Sequence, residues 1–110
     1  MAEPYLKELR SIVQRVAALQ DEADGIACKH FFSGAAAYVD GHIFMSLTPV
    51  GLALKLTQEA RDALLAKGAK PLQYFPKAPV KKDYIVLPIQ LRNDKYLSDW
   101  ILRSIEFVRD

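Results

Sequence analysis

Only one cysteine, Cys28, occurs in the 110 residues, which excludes an intramolecular disulfide framework and leaves no cysteine pair for a structural zinc. That scarcity predicts a reducing, cytoplasmic setting. Charge of one sign is nearly balanced: fifteen Lys and Arg face thirteen Asp and Glu, and the resulting +2 is too mild to imply nucleic-acid or membrane binding by itself. No run approaches about 18 apolar residues, so no transmembrane helix is predicted, and Met1-Ala2-Glu3-Pro4-Tyr5 lacks the basic start of a signal peptide. The five glycines fall at turns and caps, and no phosphate-cradling loop, GxSxG, HExxH or dinucleotide pattern is present. What the chain does have is a 51% apolar content, enough for a packed core in one domain spanning 1–110.

Periodicity divides the chain into elements. Leu6, Leu9, Val13, Val16 and Ala17 recur at helical steps and predict an amphipathic helix from Tyr5 to about Asp24. Phe31 to Val39 leads into Asp40-Gly41 and then His42 to Leu47, and an Asp-Gly pair between apolar runs is a strong hairpin signal. Thr48-Pro49-Val50-Gly51 reads as a second turn, followed by the alternating strand Leu52 to Leu56. Thr57 is a good N-cap for a helix over Gln58 to Lys67, which Gly68 ends. Leu72 to Phe75 and Tyr84 to Leu87 read as two further strands, and Asp94 to Arg109 as a closing helix with Leu97, Ile101, Ile105 and Val108 inward and Trp100 largely buried.

The predicted order is α-β-β-β-α-β-β-α, an α+β two-layer fold with a mainly antiparallel five-stranded sheet. Alternation places Ile43, Met45 and Leu47 on one face and Phe44 on the other, and Ile85 and Leu87 against Tyr84 and Val86. Both faces then look apolar, which predicts that the third helix crosses to the second face or that a second subunit covers it; a homodimer is expected.

The sharpest charge feature is Lys67 to Lys82, where five lysines occur without an acid. Lys70, Lys77, Lys81 and Lys82, with Tyr74 interleaved, are candidate contacts for a protein partner or for nucleic acid, lysines meeting phosphates while a ring stacks on a base. A solvated rim protecting a sheet edge is the simpler reading, since no arginine is present for bidentate contacts. Lys55, alone opposite Leu52, Leu54 and Leu56, is a candidate structural ion pair with Asp40 or Asp83. Cys28, His30 and His42 are too few for a metal centre without a fourth ligand, and no motif supports a Cys–His nucleophile. No catalytic residue, cofactor or metal is expected.

The pieces Phe31-Phe32-Ser33-Gly34, Tyr38-Val39-Asp40-Gly41, Leu54-Lys55-Leu56, Gly68-Ala69-Lys70-Pro71, Tyr74-Phe75-Pro76 and Leu87-Pro88 stand in an order and spacing that resembles the N-terminal domain of the TfoX/Sxy family of competence regulators. Trp100, Arg103-Ser104 and Ile105 extend the resemblance over nearly the whole chain. It implies the α-β(3)-α-β(2)-α order shared with secretion-chaperone-like domains, and a regulatory role through protein–protein contact without enzymatic activity. Two departures stand out. The family pattern Met-Phe-Gly-Gly is here Phe31-Phe32-Ser33-Gly34, and a stand-alone N-terminal domain is expected, without the second, helical domain of the full regulators.

Overall fold

In the computed structural model, which describes residues 3–20, 25–31, 34–73, 77–88 and 94–109, the elements run α1 (Glu3–Gln20), β1 (Ile26–Phe31), β2 (Gly34–Val39), β3 (His42–Thr48), β4 (Gly51–Lys55), α2 (Gln58–Leu65), β5 (Lys70–Pro71), β6 (Tyr84–Val86) and α3 (Asp94–Arg109). The fold is α+β, with an antiparallel sheet in the order β1-β2-β3-β4-β6-β5. Among the described residues the sheet has six strands rather than the expected five. The additional strand is β1, whose outward residues Ala27 and Lys29 are exposed while Ile26 and Cys28 are half-buried. A half-wet edge strand of this kind carries little apolar signal. Of the strand expected at Leu72 to Phe75, Leu72 and Gln73 are not in a strand and Tyr74 and Phe75 lie outside the described residues; the pairing is made by the two-residue β5, joined to β6 through Lys70–Val86 and Pro71–Ile85, where a proline is tolerated because the strand is an edge.

Local chemistry explains the corners. Asp40 and Gly41 have φ of 52° and 84°, the two positive values of a type I′ turn, which matches the right-handed twist of β2 and β3. Thr57 Oγ1 accepts from the Ala60 N–H at 3.2 Å and starts α2. At its end the Ala69 N–H reaches the Leu64 carbonyl and the Gly68 N–H the Leu65 carbonyl, a Schellman ending with Gly68 at φ 102°.

The register between β2 and β3 shifts at Ala37/Tyr38, so β3 carries a bulge at Phe44. Strict alternation would put Phe44 opposite Met45; the bulge turns both into the same core. That core joins Leu6, Leu9, Ile12 and Val13 of α1, Leu97, Ile101 and Ile105 of α3, and Ala60 and Leu64 of α2 to one face of the sheet. α1 and α3 pack side by side, so the third helix does not cross to the second face. Trp100 is half-buried rather than largely buried, with the Arg103 guanidinium 4.8 Å from its ring centroid.

Two buried serines have opposite energetics. Ser104 Oγ donates to the Phe44 carbonyl at 2.8 Å and ties α3 to the bulge. Ser46 Oγ, flanked on its row by Ala36 and Ala53, has no hydrogen-bond partner among the described residues. Ser104→Ala is expected to cost about 1–2 kcal/mol, because a buried carbonyl loses its donor, whereas Ser46→Ala should be neutral or stabilising by up to about 1 kcal/mol. Paired chemical denaturation of the two variants measures the difference.

Candidate interaction surface

The face opposite the helices is assembled by register. Lys29, Ala36, Ser46, Ala53, Val86 and Lys70 form one row across all six strands. On the same face Ala27 pairs with Tyr38 and Tyr38 with Ile43, and further across the sheet Lys55 pairs with Tyr84. The strands hold no acidic residue, and their three charged side chains, Lys29, Lys55 and Lys70, all fall on this face. Two of them lie over tyrosine rings: Lys29 Nζ is 5.3 Å from the Tyr38 centroid and Lys55 Nζ 5.5 Å from that of Tyr84. Such cation–π pairs hold ammonium groups against the sheet while leaving them wet on one side.

The middle of this face is dry without a second subunit. Ala36 and Ala53 are fully buried and Ser46 is 1% exposed, although none belongs to the helix-side core. Leu72 and Ala78, from the connection between β5 and β6, are also buried outside that core. The connection is folded back on itself, since the Lys81 N–H donates to the Leu72 carbonyl at 2.8 Å and Gln73 Nε2 to the Ala78 carbonyl at 2.7 Å. Lys77, Lys81 and Lys82 are therefore presented, exposed, beside the β5 edge that carries Lys70. Tyr74 lies outside the described residues.

Lys55 sits over Tyr84, and the two carboxylates expected for it are engaged elsewhere. Asp83 Oδ1 is 3.6 Å from the Arg61 guanidinium, whose Nε also donates to the Leu56 carbonyl, and Asp40 Oδ2 accepts from Arg109 Nε at 2.9 Å. The second pair links the Asp40-Gly41 turn to the end of α3. Lys29 was not among the residues singled out from sequence; its place on this face follows only once β1 is recognised. The signal that could have found it is the run 26–55, in which Asp40 is the sole acid and lies in a turn.

The chemistry-bearing residues named from sequence do not converge. His30 pairs with Ala35 and His42 with Val39, so the two histidines stand at opposite ends of β2. Among the described residues no three His, Cys, Asp or Glu side chains are grouped to hold a metal. Burial pushes the Cys28 thiol above its ordinary pKa, with the Arg10 guanidinium pulling the other way. A reactive cysteine needs the reverse balance. A cleft of about 380 Å³ between α2 and α3, floored by Leu56, Ala60 and Phe107 and rimmed by Glu59, Arg103 and Glu106, contains neither histidine nor Cys28 nor Lys55. No described helix is long and apolar enough to cross a membrane.

Three helices on one face of an antiparallel sheet, with a lysine- and tyrosine-bearing face behind, define a small α+β domain. The chain belongs to the TfoX N-terminal domain family, which matches residues 17–108 and so begins within the last turn of α1. It is not a known enzyme family. Among curated proteins, none shows significant sequence similarity to the chain.

Proposed function

We propose that this is a regulatory binding domain, without catalysis of its own, that engages an acidic surface of a partner protein through its helix-free sheet face and the adjoining Lys77–Lys82 connection. The observation that carries the reading is the sign of the sheet's charge: Lys29, Lys55 and Lys70 share one face with no strand acid to neutralise them. A face of one sign recruits the opposite sign, raising encounter rates and rejecting like-charged surfaces. Lys77, Lys81 and Lys82 extend it beyond the sheet edge.

The interleaving of Tyr38 and Tyr84 with these lysines favours a second reading, a single-stranded nucleic acid lying on the same face with bases on the rings. Nuclease separates the two. Capture from cell lysate is expected to retain a protein after nuclease treatment with the wild-type domain and to lose it with the Lys29→Glu/Lys55→Glu/Lys70→Glu variant. Retention only without nuclease, with affinity falling steeply as salt rises, would replace the first reading by the second. Undiminished capture by the triple variant would dismiss this face altogether.

A further inference from the structure

The helical layer is closed on one side of α3 and open on the other. α1 packs against α3, whereas α2 rests on β6 and leaves the cleft of about 380 Å³ between itself and α3. The sequence of α2 explains the gap. The helix is eight residues long, and its apolar contributions to the cleft are two alanines, Ala60 and Ala63, too short to interdigitate with a neighbouring helix. Leu56 and Ala60 seal the floor at 1% and 9% exposure, while Ala63 is exposed and Phe107 half-buried. The volume lies at the lower end of the roughly 300–1,000 Å³ of ligand clefts. It suits one or two side chains, not another helix.

The rim is acidic. Glu59 of α2 and Glu106 of α3 both line the cleft, and among the described residues neither carboxylate has a hydrogen bond or an ion pair. Arg103, the cation of the same lining, is engaged along its own helix. Its Nε lies 3.3 Å from Asp99 Oδ2, one turn back, and its guanidinium lies 4.8 Å from the Trp100 ring centroid. Local helix energetics account for only one of the two acids. Glu59 stands in the first turn of α2, where the helix dipole favours negative charge. Glu106 stands in the last turn of α3, where the dipole opposes it. That position is unfavourable for α3 alone and favourable for a cation held in the cleft.

We propose that the α2–α3 cleft docks an arginine side chain from an extended segment of a partner protein. The aliphatic stem lies on Ala63 and Phe107, and the guanidinium meets Glu59 and Glu106. Arginine fits better than lysine, because its planar group can lie against an aromatic ring and still offer donors to two carboxylates. The cleft belongs to the helix side of the sheet, whereas Lys29, Lys55 and Lys70 occupy the other side. The two sites have opposite charge and share no residue, so either claim can fail alone.

The probes are the capped pentapeptide Gly-Leu-Arg-Leu-Gly and its counterparts with central citrulline or glutamate, titrated into the isotope-labelled domain and followed by NMR. The arginine peptide is expected to shift the amide signals of Glu59, Ala63, Glu106 and Phe107. The citrulline peptide, alike in shape but uncharged, should bind about fivefold more weakly or worse. Both carboxylates are exposed, so Glu59→Gln and Glu106→Gln should keep the fold and each weaken the arginine peptide about two- to fivefold. Ala63→Phe, which fills the cleft without altering its charge, should abolish the shifts. The Lys29→Glu/Lys55→Glu/Lys70→Glu variant should bind no less tightly than the wild type. Equal binding of the arginine and citrulline peptides, preference for the glutamate peptide, undiminished binding by Ala63→Phe, or no shift at these residues at millimolar peptide would each overturn the proposal.

Discussion

Replacing Gly34 with alanine is expected to lower the unfolding midpoint by about 10 °C or more. The glycine has no positive φ to accommodate, and its role is purely steric. A β-carbon built there would run into the Leu47 carbonyl oxygen, with Thr48 Cα at 2.8 Å and the Leu47 carbonyl carbon at 3.0 Å. All three are main-chain atoms of β3, so no rotamer change can make room. Relief requires the end of β3 to move away from β2, which disrupts the Ala35–Leu47 pair and the buried row behind it. Overpacking of a core ordinarily costs about 1–3 kcal/mol, and a clash with backbone belongs at or beyond the upper end. At about 4–8 °C per kcal/mol for a domain near this size, the shift is large and easily read by calorimetry. Gly41→Ala is the control. Gly41 has φ 84° with open space around it, so the cost there is torsional, about 1–2 kcal/mol. Equal losses for the two variants would contradict the close approach of β2 and β3. The same contact rationalises why Gly34 stands in the Phe-Ser-Gly sequence even though Ser33 occupies the position of the other family glycine.

The elements legible in sequence are those whose signals are local. Thr57, Gly68 and the Asp40-Gly41 pair specify their own backbone conformations, and the apolar stripes of α1 and α3 need only the helical period to be read. The features that escaped depend on pairing. β1 buries one side of Ile26 and Cys28 and wets Ala27 and Lys29, so its four alternating residues look no different from a loop until β2 lies beside them. The Phe44 bulge exists only in the relation of β3 to β2, and it inverts the face assigned to one of the largest core side chains. The candidate surface divides the same way. A lysine cluster at 70–82 is visible as composition, but the grouping of Lys29, Lys55 and Lys70 is a consequence of three separate registers. The dryness of Ala36, Ser46 and Ala53 arises within one chain, so two apolar faces are not in themselves a sign of a dimer.

Leu54→Asp is expected to abolish the native fold, leaving aggregated or unfolded protein by circular dichroism and gel filtration. Leu54 is fully buried in β4, between Met45 of β3 and Ile85 of β6, on the face covered by α1 and α3. Truncating such a leucine alone costs about 2–5 kcal/mol through lost transfer energy and the cavity left behind. A carboxylate adds a desolvation penalty of several kcal/mol, and neither Met45 nor Ile85 offers it a cation. The total reaches the roughly 5–15 kcal/mol by which whole domains are stable. Leu54→Ala should therefore fold with a lowered midpoint while Leu54→Asp does not, which separates loss of volume from burial of charge. Leu65→Asp provides the matching surface test: Leu65 is 42% exposed on α2, and the substitution should change stability by only about 0.5 kcal/mol. A native-like midpoint for Leu54→Asp would mean that β4 presents its other face to the helices. The lysines of the sheet would then lie beneath α1 and α3, where unpaired ammonium groups are too costly to keep, so the orientation of this one strand decides both the core and the charged surface behind it.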